Sequence, residues 1–275
     1  MSIGELATNL EEVDPGRWMA RSATEVSYPE DGHASNFEVE DTSFWFQHRN
    51  RVITALVEKY SPEKLLFDIG GGNGCVSDAL QRSGHPTVLV EPGPEGIRNA
   101  RKRGISTLVQ ATLEDAGFRP NSMAAAGAFD VVEHIEDDAG FVRSIGELLE
   151  PGGHFFVTVP AFQSLWSSVD VAAGHYRRYT RAELRNLFES AGLVPVFDSY
   201  IFWPLPPLVL LTRSIPSRLN LRTSREADTV AREHGAGGSS GASLMKRLLD
   251  PEAKRVAQGK TMPVGNSIIA VARAR

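Results

Sequence analysis

Along the chain, short apolar runs alternate with longer stretches in which apolar residues recur every three or four positions. From Phe44, the spacing of His48, Val52, Ile53, Leu56 and Val57 is helical, with Asp41 or Thr42 placed to cap the helix. Lys64 to Gly74 reads Lys-Leu-Leu-Phe-Asp-Ile-Gly-Gly-Gly-Asn-Gly, a buried strand running into an acid and a glycine turn. Behind the turn, Val76, Ala79 and Leu80 share one face of a helix over Asn73 to Ser83, which Gly84 stops. Thr87 to Val90 predicts a second strand, Pro94 a helix start with its end at Gly104, and Ile105 to Gln110 a third strand. Ser122 to Phe129 and His154 to Val159 follow as the fourth and fifth. Between them lies a helix opened by Glu136-Asp137-Asp138, carrying Phe141, Ile145, Leu148 and Leu149 on one face, and ended by Pro151-Gly-Gly153. A capping box, Thr180-Arg-Ala-Glu183, opens a helix with Leu184, Leu187 and Phe188 inward and Gly192 at its C-cap. Leu193 to Phe202 and Asn266 to Ala272 complete seven strands.

This alternation specifies an α/β fold built on a doubly wound, mostly parallel sheet, whose ligands sit at the carboxyl ends of the strands near the switch point. The expected organisation is a lid and opening helix over 1–60, a core over 61–202, an insertion over 203–265 that roofs the acceptor, and a last core strand over 266–275. Residues 1 to 40 hold no period beyond one turn and predict an irregular or partly helical lid. Inside the insertion, Gly235 to Gly241 reads as a flexible linker and Ser243 to Val256 as an amphipathic helix.

The glycine turn sets the chemistry. Gly70, Gly72 and Gly74 stand two apart, with Gly71 between the first pair, so the backbone can take positive φ and let a ligand lie against it. A dinucleotide loop wants G-x-G-x-x-G, yet the position three beyond Gly72 is Cys75. Asp68 would repel a pyrophosphate and attract an ammonium or sulfonium. At the tip of the next strand, Glu91 could take both hydroxyls of a ribose.

Asp68-Ile-Gly-Gly-Gly-Asn-Gly74, Glu91, Phe129-Asp-Val-Val-Glu-His-Ile-Glu-Asp-Asp138 and Leu149-Glu-Pro-Gly-Gly153 together resemble the class I S-adenosylmethionine-dependent methyltransferases, over roughly Ser43 to Leu193 plus the last strand. The resemblance implies a seven-stranded Rossmann-like sheet with an antiparallel final strand and S-adenosyl-L-methionine as cofactor. It places the donor against Asp68, Gly70, Gly71, Gly72, Gly74, Glu91, Pro92, Phe129, Asp130 and His134. Thr112 and Leu113 fall where the family holds the adenine, although simple turn residues fit there equally. Trp45, Phe46 and Arg49 would wall the donor and acceptor, the rest of their helix packing on the sheet edge. Acceptor recognition is expected from Trp166, Tyr176, Arg177, Arg178 and Tyr179; the plainer reading makes the arginines solvated and Tyr179 a hydrophobic staple. Methyl transfer chiefly requires alignment, but an alcohol or phenol also needs a base. The candidates are His134, His175 and Asp170, with Glu133 and Tyr176 behind them; His134 could instead brace the following helix. The expected activity is methyl transfer to an O, N or C atom of a small molecule. Two other readings remain open, another reaction of the same donor and a non-catalytic binding subunit.

Composition narrows the partners. The 275 residues carry a net charge of −5 without a Lys/Arg block, which disfavours nucleic acid, and Arg101-Lys-Arg103 suits a helix C-terminus without any ligand. A lone cysteine, Cys75, excludes an internal disulfide and fits a reducing compartment. The first residues are acidic with no apolar signal segment, and the apolar stretch Tyr200 to Leu211 is short and broken by three prolines. A cytoplasmic protein without stable membrane insertion is therefore expected. The G-x-S-x-G pattern at Gly237 to Gly241 falls in the flexible linker rather than on a strand, so no hydrolase elbow is expected. The seven histidines show no ligand spacing, so no metal is expected, and Glu136-Asp137-Asp138 reads as helix-opening acids.

Overall fold

The computed structural model describes residues 3–22, 37, 39–219 and 239–275. Its strands are β1 (Leu10–Asp14), β2 (Arg17–Ala20), β3 (Leu66–Ile69), β4 (Thr87–Val90), β5 (Leu108–Gln110), β6 (Met123–Phe129), β7 (Leu149–Pro160), β8 (Val194–Ile201) and β9 (Ser267–Arg273). They form one sheet in the order β1-β2-β5-β4-β3-β6-β7-β9-β8. From β3 the chain steps outward through β4 to β5, then returns to the other side of β3 as β6. The switch point thus falls between β3 and β6, where Asp68 lies in register with Gly127. β9 inserts antiparallel between β7 and β8, as the resemblance implied.

The sheet has nine strands among the described residues rather than seven. The two additional ones lie in the stretch expected to be an irregular or helical lid. β1 and β2 form an antiparallel hairpin, with β2 parallel to β5 at the sheet edge. Pro15 followed by Gly16 at φ +75° makes the turn between them, a proline-glycine pairing suited to a positive φ at its second residue. Both strands are short and half-exposed, so no apolar alternation marks them. Among the described residues of this stretch, the helical ones are a single turn, Ile3–Leu6, and Phe37, Val39 and Glu40 just before the opening helix. The remainder of the expected lid, residues 23–36, lies outside the described residues.

Period-two alternation drives each face of the sheet into its own core. Leu66 joins Val52, Leu56, Leu80, Leu249 and Val256 from the helices Phe44–Tyr60, Cys75–Arg82 and Ser239–Ala257. Its neighbour Phe67 joins Val142, Ile145, Leu184 and Phe188 from Asp138–Leu148 and Arg181–Ser190. Burial on both faces is what a near-continuous apolar strand requires. The Phe44–Tyr60 helix is capped by Ser43 rather than Asp41 or Thr42, and the box of Thr180 and Glu183 forms as read.

Two short helices, Leu205–Val209 and Ile215–Arg218, flank a π-turn in the first part of the insertion. The amphipathic helix is longer than expected, Ser239–Ala257, and takes in the end of the presumed linker; residues 235–238 of that linker lie outside the described residues. Glu252 fixes this helix. It is fully buried, meets His48 Nε2 at 2.6 Å and accepts the backbone N–H groups of Phe202 and Trp203. Among the described residues no helix is long and apolar enough to cross a membrane.

Candidate active site

The strand β3 delivers Asp68 and then the glycine turn to the carboxyl edge of the sheet. Gly70, Gly72 and Gly74 all adopt positive φ, at +69°, +53° and +78°. Gly70, Gly71 and Gly72 form an open crest, whereas Asn73, Gly74 and Cys75 are buried. Beneath the crest the Asp68 carboxylate accepts the Ser77 hydroxyl at 2.7 Å. Burial pushes its pKa up to about 6, against the pull of Ser77 and the Arg49 charge. A Cβ on Gly71 would lie 2.9 Å from both Asp68 Oδ2 and Leu89 Cγ, so backbone and carboxylate meet only because no side chain intervenes. Gly71→Ala is expected to destabilise the chain by about 1–3 kcal/mol through overpacking. Chemical denaturation at neutral pH checks it.

Glu91, at the tip of β4, turns inward. Its oxygens accept the Gly72 N–H at 3.0 Å and the Gly93 N–H at 2.7 Å, so the acid splints the glycine turn to the next helix entrance. Pro92 is half-buried beside it. Thr112 caps a single turn, accepting the Asp115 N–H at 3.0 Å, with Leu113 half-buried next to it.

Across the switch point, Phe129 is buried at the end of β6, and Asp130 follows with φ +57°, pairing with the Arg49 guanidinium. That guanidinium also lies 4.9 Å from the Trp45 ring centroid and 5.1 Å from that of Phe46. Trp45 in turn stacks on Phe202. The three residues expected to form a wall are thus one connected unit, and its cation reaches the β6 tip.

The loop after β7 splits into an inner and an outer side. Asp170 is fully buried, capping the turn Ser168–Ala172. Arg178 meets both of its oxygens, Nε at 2.6 Å and Nη2 at 3.2 Å, and donates to the Ala161 carbonyl. Burial alone would raise the Asp170 pKa; the hydrogen bonds from His175 and Arg178 take it down to about 2. Tyr179 is buried too and donates to Asp138 at 2.8 Å, burial and that acid raising its pKa. Arg178 and Tyr179 therefore face the interior. Tyr176 is exposed, Arg177 spans Asp138 and the Glu136 carbonyl, and Trp166 is half-buried.

The residues expected to act as bases converge. His175 Nδ1 lies 3.1 Å from Asp170 Oδ1, and its ring stands edge-on to that of His134 with centroids 4.7 Å apart. An ionised carboxylate only accepts, so Nδ1 carries a proton and Nε2 is directed away from the acid. Burial and His175 lower the His134 pKa to about 4. Glu133, between Asp130 and His134, is buried and its Oε2 has no hydrogen-bond partner. Burial, then the Asp130 charge, push its carboxyl well above the usual range. One ligand atom from each of Glu133, His134 and His175 falls within 4.8 Å of the others. Scanning for neighbouring histidines misses this group, because 40 residues separate the two imidazoles and only the fold joins them.

A glycine crest over a buried acid, a second acid at the next strand tip and this strand order define the class I S-adenosylmethionine-dependent methyltransferase fold. The family profile described as a methyltransferase domain matches residues 45–196, and the chain belongs to that family, whose cofactor is S-adenosyl-L-methionine. It is similar to the ubiquinone biosynthesis O-methyltransferase of Methylocella silvestris, 34% identical over 108 residues, which covers 36% of this chain and 42% of that protein. The protein of the same name from Xanthomonas campestris is 30% identical over 103 residues, 35% and 43% of the two chains. The chain thus spans less than half the length of these curated relatives. Among solved structures, a chain from the complex between the Haloferax volcanii Trm112 methyltransferase activator and a methyltransferase shares the fold, with TM-score 0.57 and 17% identity, over 89% of this chain and 95% of that one. Haemonchus contortus phosphoethanolamine N-methyltransferase 2 with S-adenosyl-L-methionine gives TM-score 0.56 and 17% identity, over 91% and 58%.

Proposed function

We propose that the chain transfers the methyl group of S-adenosylmethionine to an oxygen of a small acceptor that has an apolar part. The observation that carries the reading is the open crest Gly70–Gly72, set between the buried acids Asp68 and Glu91. It fits an adenosyl sulfonium, because the absence of a side chain at Gly71 lets the backbone lie directly on the Asp68 carboxylate, and an acid beneath it favours positive charge. When bound, the donor supplies an electrophilic methyl carbon on a sulfur that leaves as a neutral thioether. The chain's residues align it. Asp68 and the crest take the charged end, Glu91, Pro92, Thr112 and Leu113 the nucleoside, and Arg49 with Trp45 and Phe46 closes the side facing Asp130.

On the acceptor side, His175, with Glu133 and His134 beside it, receives the hydroxyl proton. Asp170 acts as a positioning residue, because a carboxylate held at about 2 is a poor base at neutral pH. Tyr176, Arg177 and Trp166 form the rim, and residues 203–219 the roof. Two observations favour an oxygen acceptor with an apolar part. The relatives bear an O-methyltransferase name. The roof also exposes Trp203, Leu208, Leu211, Ile215 and Leu219, a run of apolar side chains beyond the scattered few of an ordinary surface.

Calorimetry with S-adenosylhomocysteine tests the donor half. Asp68→Ala and Glu91→Ala are each expected to weaken binding by about 1.5–3 kcal/mol, the range for a lost charged hydrogen bond. Unchanged affinity in both would remove the assignment. Counting S-adenosylhomocysteine against methylated product, with a labelled donor and amphipathic phenols, tests the reaction; a one-to-one count is expected, and thioether formed without product would sink methyl transfer.

A further inference from the structure

We propose that Glu133, His134 and His175 bind one divalent first-row transition-metal ion beside the donor cleft. Three observations converge on the turn that follows β6. The first is proximity. Bonds of about 2.0–2.2 Å from one ion place its ligands within about 4.4 Å of each other. The ligand atoms of the cluster all lie within 4.8 Å of one another, so tetrahedral loading draws them together by at most about 1.5 Å.

The second is the orphaned oxygen. Glu133 is 1% exposed, and its Oε2 has no hydrogen-bond partner. A buried acceptor left unmade costs about 1–3 kcal/mol, more when charged, and folded chains rarely keep one without a reason. A cation at the cluster satisfies it directly. A purely structural histidine pair does not, because neither imidazole reaches that oxygen as a donor although a carboxylate oxygen of Glu133 lies in one group with both rings.

The third is the support behind His175. Asp170 accepts from Nδ1, which fixes the ring and directs Nε2 away from the acid. A carboxylate behind an imidazole is the arrangement that orients metal-bound histidines and raises their basicity. Asp170 is itself held by Arg178 and the Ser167 N–H, so it is committed to that role.

Charge permits the ion. Asp130 pairs with the Arg49 guanidinium and Asp170 with that of Arg178, so both nearby cations are matched by acids outside the ligand set and Glu133 is the acid left for the ion. Two imidazoles and one carboxylate favour Mn²⁺, Fe²⁺, Co²⁺ or Zn²⁺ over Mg²⁺ and Ca²⁺, which prefer all-oxygen sites. Three protein ligands also leave coordination positions open. The position beside the crest is shown by Gly70, where a Cβ would lie 2.9 Å from the side chain of Val131, two residues before Glu133. An ion there would take the place of a side-chain base: it would hold the acceptor hydroxyl and make it more acidic, the proton passing to solvent. That role rests on the methyl-transfer reading above; ion binding does not.

The test is titration of the full chain, stripped with chelator, by Mn²⁺, Co²⁺ and Zn²⁺ separately, followed by equilibrium dialysis and, for Co²⁺, by visible absorption. One ion per chain is expected for at least one of the three. His134→Asn, His175→Asn and Glu133→Gln should each weaken it at least 10-fold, while in His175→Asn the S-adenosylhomocysteine affinity stays near the parent's. Broadening of two histidine ring resonances in the parent chain by Co²⁺ gives the same answer without a variant. No stoichiometric binding of any of the three ions by the parent, or unchanged affinity in His175→Asn, would overturn the site. Ion binding without any affinity for S-adenosylhomocysteine would leave the site standing and remove the methyl-transfer reading instead.

Discussion

Replacing Arg178 with alanine is expected to cost about 3–5 kcal/mol of folding stability, the range for removing one partner of a buried ion pair. The effect is large because of what remains. Asp170 has no exposure to water, and the variant takes away its two-pronged donor while leaving the acid in place. The hydrogen bonds from His175 and the Ser167 N–H persist and are too few to replace a guanidinium. The acidic limb should change as well. With a folded pKa of about 2 against an ordinary 3.8, Asp170 adds stability above about pH 4 and loses that contribution as pH falls toward 2. In Arg178→Ala the folded pKa rises, so this part of the acid dependence shrinks. Urea unfolding at pH 7 and pH 3 for parent and variant reads both effects. A variant as stable as the parent would free Arg178 from its internal role and return it to the acceptor.

The internal role of Arg178 also shows which features were legible in the sequence. Patterns confined to one segment were. The glycine crest and Asp68 follow from strand, acid and turn within eleven residues, and the box of Thr180 and Glu183 follows from a spacing of three. Each is decided by local backbone needs, such as positive φ or an unmet N–H group at a helix start. Partners fixed by packing were not. Nothing near Arg178 in the sequence says that it will turn inward to Asp170, and nothing near His48 announces Glu252, which lies 204 positions on. Arg103 behaves the same way. It caps the helix end where it was expected, but its side chain is buried against Glu40 and Asp41, which the sequence did not announce. The hairpin of β1 and β2 failed for a different reason: edge strands of four and five residues bury too little to impose a pattern, and only Pro15 and Gly16 signalled the turn.

Arg49→Met is expected to weaken S-adenosylhomocysteine binding by about 10- to 150-fold, the equivalent of about 1.5–3 kcal/mol for a charged hydrogen-bonding group. Arg49 is the buried cation among Asp130, Glu40 and Asp68, as its pairing and the electrostatic pull on those acids show. Methionine fills similar volume between Trp45 and Phe46 but supplies neither charge nor donors. Without the guanidinium, Asp68 loses one of the influences that favour its ionised form, so its pKa climbs further above 6 and the crest becomes less attractive to a sulfonium. The loss should therefore be greater for S-adenosylmethionine than for the uncharged thioether, a difference that calorimetry with both compounds at pH 7 resolves. Arg49→Lys separates charge from shape, since an ammonium keeps the field but cannot lie flat across two rings or meet a carboxylate with two donors. Partial recovery in the lysine variant would divide the effect between the two. Full binding in the methionine variant would make Arg49 a brace for the opening helix alone, and the donor's charged end would then rest on Asp68 and the glycine crest without it.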